Sequence, residues 1–359
     1  MDKKYAVFLF FLLLTNLPFL SHAQFTAPKY SNEFLNIGVG ARALGMSGAQ
    51  TAIANDVTAG YWNPAGLLHM ESKYEVSLMH AEYFAGIAKY DYAAFATRID
   101  SNSVLAITGI RFGVDDIPDT RFLYDNNGAI NYNNIRFFSA ADYGFLLSYA
   151  RQTPSIPGLR MGANVKVIHR VVGQFANAWG FGLDAGIQYD HKKWRFGAVA
   201  RDVTSTFNAW NHNTALVKDI YLQTGNDIPV NSIEVTLPRL IIGVGREFSL
   251  FEDRIGILAS VDLVSTFDGM RNTLLKTNLV SVDPYAGLEI DYKKIVYIRG
   301  GVGNIQEVKD WDDKTYTSIQ PNFGIGVKIY KFSIDYALTN IGDMSEVLYS
   351  NVFSLKLAI

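Results

Sequence analysis

Residues 160–171, RMGANVKVIHRV, alternate. Met161, Ala163, Val165, Val167, His169 and Val171 fall on one parity, while Arg160, Asn164, Lys166 and Arg170 fall on the other. Alternate side chains of a strand point to opposite faces, so the segment is a ribbon with one apolar and one charged side. The next run, WGFGLDAGIQYD, repeats the pattern: Trp179, Phe181, Leu183, Ala185, Ile187 and Tyr189 share a face, with Asp184, Gln188 and Asp190 opposite among glycines. Only a tight link through Gly173 separates the two runs, which predicts an antiparallel hairpin with Asp184 close to Lys166.

Length decides what such ribbons border. Strands of soluble sandwiches usually run about five or six residues, whereas these run about 10 to 13, the length of a tilted strand crossing a bilayer. Trp179, Tyr189 and Trp194 at strand ends match interfacial aromatic girdles. With the apolar parity in lipid, Arg160, Lys166, Arg170 and Asp184 face a lumen, where water and opposite charges satisfy them.

The same test along the chain gives fourteen candidate strands, near 74–81, 89–99, 102–113, 141–151, 159–171, 177–190, 193–203, 237–248, 253–265, 279–291, 295–303, 317–330, 331–338 and 346–359. Short links such as DSNS, HKK, SLFED, YKK and YK alternate with long ones near 114–140, 204–236, 266–278 and 304–316. Even strand number, short periplasmic turns and long outer loops are the pattern of bacterial outer-membrane barrels. The expected fold is therefore all-β, a 14-stranded antiparallel transmembrane barrel over residues 73–359. The last strand, NVFSLKLAI, alternates to Ile359, as an assembly signal for insertion does, although it ends in an aliphatic rather than an aromatic residue.

The first residues predict export. Lys3 and Lys4 precede the apolar run Ala6 to Leu14, and Ser21-His22-Ala23 provides the small residues of a cleavage site, giving a signal peptide over 1–23. The run is shorter than the roughly 20 residues of a spanning helix and is broken by Asn16 and Pro18. With 32 basic and 34 acidic residues and no basic cluster, nucleic acid is not a partner. The absence of cysteine rules out disulfides, thiolate metal sites and lipobox acylation. The expected location is the outer membrane, with both termini periplasmic and lipid as the first partner.

A lumen walled by 14 strands is too wide for its own side chains to fill. Residues 24–72 are the available filler, an N-terminal hatch. Its run GARALGMSGAQTAIANDVTAGYWNPAGL is too rich in glycine for a long helix and too apolar for a solvated linker. Gly40, Gly45 and Gly48 let a compact backbone lie against the inner wall, and Arg42 is placed to meet inward carboxylates. Asn63 followed by Pro64 reads as a cap with proline at the first helical position, starting a turn through Ala65 and Gly66. The alternative is an arm folded on the periplasmic face.

The same run, 40–67, resembles the N-terminal signature of the PorV/PorQ family of Bacteroidetes, itself similar to FadL-type outer-membrane transporters with a related Asn-Pro-Ala-Gly plug element. Weaker resemblance lies at VDDIPDT (114–120) and TGNDIP (224–229). The resemblance implies a 14-stranded barrel with a hatch. For PorV-type members it implies an accessory role in type IX protein secretion, engaging a large translocon barrel and exported cargo. For FadL-type members it implies passage of hydrophobic, fatty-acid-like molecules through a gated hatch and a lateral opening.

No enzyme, cofactor or metal site is expected. Gly38 to Ala43 satisfies G-x-G-x-x-A but lacks the strand–helix context of a dinucleotide site, and Gly300 to Gly303 reads as a strand end. His69, His80, His169, His191 and His212 are scattered without ligand spacing or a recognisable acid partner, and His169 reads as an interfacial side chain. Asp115, Asp116 and Asp119 have the charge for a cation but too few fixed ligands. Loop contact candidates are Asp115, Asp116, Pro118, Phe122, Tyr124, Phe207, Trp210 and Tyr221, aromatic residues among polar ones on the long outer links.

Overall fold

A computed structural model describes residues 31–125, 127–309, 312–339 and 350–359. The signal-peptide expectation and the first hatch residues, 24–30, lie outside the described residues. The strands are β1 (Tyr74–Tyr83), β2 (Ala88–Asp100), β3 (Ser103–Asp119), β4 (Arg136–Gln152), β5 (Leu159–Val172), β6 (Ala176–His191), β7 (Trp194–Arg201), β8 (Thr206–His212), β9 (Ser232–Thr236), β10 (Arg239–Leu250), β11 (Ile255–Thr266), β12 (Leu275–Lys276), β13 (Ser281–Tyr292), β14 (Val296–Lys309), β15 (Thr315–Ile329), β16 (Phe332–Thr339) and β17 (Ser350–Ala358). Fourteen of them, β1–β7, β10, β11 and β13–β17, follow one another antiparallel round a wall that closes where β17 pairs with β1, Leu355 opposite Leu78.

Parity sorts the side chains as the alternation requires. On β6, Trp179 is 56% exposed on the outer face, whereas Gln188 on the inner face is fully buried. His169 lies opposite Trp179, and the two rings stack at 4.1 Å on the outer wall. The register also pairs Asn164 with Asp184 and brings the Lys166 Nζ within 2.8 Å of Asp184 Oδ1.

Several expectations need correction. β3 and β4 run on to Asp119 and back from Arg136, so Asp115, Asp116 and Pro118 are strand residues, not loop residues. A register shift between Val114 and Ile117 absorbs the extra residue at Asp116, whose φ is 57°. The 204–236 link is not a structureless loop: it contains β8, helix α1 (Thr214–Thr224) and β9, which places Phe207 and Trp210 on β8 and Tyr221 on α1. The 304–316 link is largely strand as well, and Gly300 to Gly303 fall in the middle of β14. Gly38 to Ala43 ends in a single helical turn, Ala41–Leu44, with no following βαβ unit.

Wall strand seven is interrupted. β7 pairs with the lower part of β6 and β8 with its upper part, and the four residues between them include Asp202 and Ser205, both at positive φ, 57° and 58°. The neighbouring strand breaks nearby: Leu237 and Pro238 separate β9 from β10, and proline brings no amide hydrogen to a ladder. β9 pairs with β8 on one edge, and among the described residues no strand pairs with its other edge.

Residues 31–72 pack against the inner wall as short helical turns, Glu33–Asn36, Ala41–Leu44, Ala59–Trp62 and Pro64–His69. Val39, Met46, Ile53, Ala65 and Leu67 are fully buried, and Phe34, Leu35, Val57 and Tyr61 join Tyr83, Tyr90, Ile110 and Ile168 of the wall in one core cluster. Inward glycines of the wall make this possible. A Cβ at Gly197 would lie 2.2 Å from Thr51 O, and one at Gly301 2.4 Å from the Met46 carbonyl carbon. Gly162, Gly186, Gly287 and Gly324 likewise face the segment directly.

Candidate functional site

The predicted Asn63 cap forms. Its Oδ1 accepts the Ala65 amide at 3.2 Å with Pro64 next to the cap, while its Nδ2 donates to Thr51 O at 2.8 Å and to Ile187 O of β6 at 3.0 Å. One side chain thus ties the turn to itself, to the segment and to the wall. Irregular backbone away from water must find partners, and wall side chains supply them. Gln188 donates to Thr51 O and Ala54 O, Asn164 to Gly60 O, and Asp262 accepts the Thr51 amide at 2.8 Å. Gly66 is required by close approach, since a Cβ there would sit 2.3 Å from Ala54 O.

Charge fixes the segment at two further points. Arg42 donates to Glu289 at 2.8 and 2.9 Å and to Asn55 Oδ1 at 2.6 Å. Glu289 also accepts from Arg299, which reaches Asp335 at 2.7 Å. Asp56 pairs with Lys356 of the last strand and accepts from the Thr58 amide and hydroxyl. Burial opposes ionisation of Asp56, but Lys356 and Arg42 outweigh it and hold the carboxyl well below the usual carboxylate range.

At the end near the β6–β7 turn, His69 Nε2 lies 3.5 Å from Asp190 Oδ2, and on the outer wall His80 Nδ1 lies 2.7 Å from Asp91 Oδ1. These pairs correct the expectation that no histidine has an acid partner: Asp190 lies far from His69 in sequence, and Asp91 faces His80 across the β1–β2 hairpin. Burial, then the nearby Arg160 charge, push the His69 imidazole down to about 4, with Asp190 opposing.

Between the segment and the inner wall lies a cavity of about 420 Å³. Ile37, Leu44 and Trp62 of the segment, with Ile241 and Val264 of the wall, give it an apolar side; Arg201, Arg239, Asp262, Tyr285 and Gln320 give it a polar one. Trp62 is held by an indole hydrogen bond to Val39 O at 2.9 Å. The Arg201 guanidinium lies over the Tyr61 ring, 4.7 Å from its centre, and donates to Tyr61 O at 3.1 Å. The volume lies within the roughly 300–1,000 Å³ of small-molecule sites.

The predicted residues thus divide. Gly40, Arg42, Gly45, Gly48, Asn63, Pro64, Ala65 and Gly66 come together inside the wall, and only Gly48 touches the cavity directly. The four inward charges are each paired: Arg160 with Asp190, Lys166 with Asp184 and Asp202, Arg170 with Asp142. The outer candidates do not converge. Phe122 lies beneath Arg121 and Arg136, Trp210 beneath Arg170, Phe207 and Tyr124 are exposed, and Tyr221 sits on α1. Asp119 is held by Arg121, and Asp115 faces Arg111 and Lys89, so these carboxylates are paired separately rather than gathered round a cation. Sequence reading missed Trp62, Arg201, Arg239, Ile241 and Val264. Their one visible signal is the inward parity of Arg239 and Ile241 in RLIIGVG, obscured because both parities there are largely apolar.

No protein-family model matches the chain, and no curated protein is similar to it. Solved structures are. The toluene transporter TbuX of Ralstonia pickettii is similar at 15% identity and TM-score 0.53, with 90% of this chain and 98% of that chain covered. The fold is that of a FadL-like outer-membrane barrel. The CymD monoaromatic hydrocarbon channel is similar to this FadL-like barrel at 14% identity and TM-score 0.56, covering 90% and 98% of the two chains. A Pseudomonas aeruginosa FadL homologue is similar at 11% identity and TM-score 0.51, covering 89% and 97%. At such identities the likeness is one of fold, and none of these comparisons picks out the PorV/PorQ branch.

Proposed function

We propose that this FadL-like barrel is an outer-membrane channel for hydrophobic small molecules, with residues 24–72 as its hatch, both termini periplasmic and the leader 1–23 removed on export. The observation that carries the reading is the cavity of about 420 Å³ at the hatch, apolar along Ile37, Leu44, Trp62, Ile241 and Val264. A water-filled porin has no use for such a pocket, whereas a molecule leaving water gains from each apolar contact there. TbuX is a toluene transporter and CymD a monoaromatic hydrocarbon channel; extending that class of solute to this chain is an argument by fold analogy. The interruption of the wall at 202–205 and 237–238 gives such a molecule a place to leave sideways into lipid.

The secretion-accessory reading, with a translocon barrel and exported cargo as partners, rests on the signature at 40–67. In that stretch Arg42, Asn63 and Gly66 are engaged in holding the segment to the wall. A transporter and a secretion accessory need that packing alike, so the signature does not favour secretion over transport.

The test is uptake of labelled toluene and of a long-chain fatty acid by cells that carry or lack the gene, together with Ile241→Trp, which fills the cavity. Uptake that falls on deletion and falls again in the folded Ile241→Trp barrel supports the channel. Uptake of both solutes unchanged by deletion removes it, and loss of exported surface proteins on deletion would restore the secretion reading.

A further inference from the structure

The outer wall is not equally apolar all the way round. On β6 the outward apolar run extends from Trp179 to Tyr189, roughly 33 Å of strand, enough for a strand tilted by about 40° to cross an apolar band about 25 Å tall. On β1 the outward run is Tyr74, Val76 and Leu78, roughly 13 Å of strand, before His80 and Glu82. β2 turns from Phe95 and Ala93 to Asp91 and Lys89, and β3 from Ile107 and Gly109 to Arg111 and Asp115. The register aligns His80 with Asp91 and Asp91 with Arg111, so the charges form one patch on three adjacent strands.

The patch is not simply the top of the apolar belt. Above it, the β1–β2 turn presents Phe84 and Ile87, 46% and 64% exposed, and below it stand Leu78 and Ile107, 49% and 56% exposed. Charge lies between two apolar levels. Within the patch His80 contacts Asp91 at 2.7 Å, Arg111 approaches Asp91 at 3.6 Å and Asp115 at 3.3 Å, and Lys89 approaches Asp115 at 3.7 Å. Yet the His80 and Glu82 side chains remain 50% and 56% exposed. Hydrocarbon tails offer such groups no partner, so a polar surface at the same depth is needed to cover them.

We propose that the outer face of β1–β3 is a homodimer interface, covered by the same face of a second copy of this chain. Both signs occur in the patch, Lys89, Arg111 and His80 against Glu82, Asp91 and Asp115, which makes it its own complement. A two-fold axis through its centre sets the bases of one copy against the acids of the other, the self-matching arrangement of an isologous contact. Phe84, Ile87, Leu78 and Ile107 then form the apolar rim of that contact.

The chain contains no cysteine, so one introduced thiol reports only contacts between copies. Ala93 is exposed on the outer face, next in register to Leu78 and Gly109, and Ala93→Cys removes no charge. In native outer membranes carrying the full chain, mild oxidation of Ala93→Cys is expected to give a product of twice the chain mass. Its yield should exceed that from Ile325→Cys, on the outer face of β15, by about tenfold. Adding Lys89→Asp should reduce the yield several-fold, with heat-modified gel mobility verifying that the barrel is folded. Equal yields from the two positions, no effect of Lys89→Asp in a folded barrel, or a product containing a different polypeptide would overturn the proposal.

Discussion

Arg42, on a single helical turn of the N-terminal segment, and Arg299, on β14, grip the same carboxylate, Glu289, at 2.8 and 2.6 Å. Glu289 is 5% exposed and Arg299 4%, so the anion and this cation are held out of bulk water together, with Arg42 closing over them from the segment. A buried carboxylate shared by two arginines is costly to remove, because Arg42 loses its ion-pair partner and Arg299 is left with Asp335.

Glu289→Gln is therefore expected to destabilise the barrel by about 3–5 kcal/mol, and Arg42→Ala by less, since Arg299 still neutralises the carboxylate. Thermal unfolding in detergent measures both. Arg42→Ala should also raise the leak conductance of single channels in planar bilayers; a tight, wild-type-like channel would show that the segment does not depend on this contact.

Gly300 and Gly301 are neighbours that face opposite ways. A Cβ at Gly300 meets nothing within 4 Å, whereas one at Gly301 meets backbone atoms of Met46 and Ser47 at 2.4 and 2.6 Å. Gly301→Ala should cost about 1–3 kcal/mol through overpacking. Gly300→Ala should change stability by no more than about 0.5 kcal/mol. Comparable losses in the two variants, read from the same melting curves, would mean that the segment does not lie on β14.

His69 gives the docking of the segment a pH dependence. Its folded value of about 4 lies below the ordinary 6.5, so the unfolded chain takes up a proton in a range where the folded one resists it. Stability from this group is thus full above 6.5 and is lost as pH falls from 6.5 toward 4. Asp56 adds a second loss only at lower pH, below the ordinary carboxylate value, because its folded value is depressed. Hydrogen exchange of residues 64–70 should therefore speed up relative to global unfolding between pH 7 and 5. His69→Gln should flatten that dependence.

Lys166 neutralises two carboxylates, Asp184 and Asp202, and is itself 4% exposed. Lys166→Met should cost about 3–5 kcal/mol, because it leaves both acids buried with neutral hydrogen-bond donors and, as a cation, Arg239 3.5 Å from Asp202. Adding Asp184→Asn and Asp202→Asn should recover part of that loss in the same gel-mobility melting assay. No recovery would point to the lysine stem, rather than its charge, as the stabilising element.

The Lys166–Asp184 contact was legible because strict alternation and one tight link determine both partners of a hairpin. Asp202 was not. The expected strand 193–203 runs straight through Asp202, and period-two counting has no means of seeing that Asp202 and Ser205 take positive φ and divide β7 from β8. The polar run 204–236 concealed two strands and a helix for a related reason: above the lipid level a strand has no apolar face to announce it. The Asn63 turn and the Arg42 contact were foreseen because cap chemistry and an unpaired inward cation are local facts. The cavity was not, because its lining comes from the segment and from wall strands as distant as β7 and β16, whose spacing in sequence bears no relation to their meeting in space.

The glycines beneath residues 31–72 belong to strands scattered along the whole chain, from Gly162 on β5 to Gly324 on β15. A half-inserted polypeptide cannot present that whole bed, because it exists only once the wall from β5 to β15 stands side by side. The stopper precedes the bottle along the chain, so its full seat is built after it.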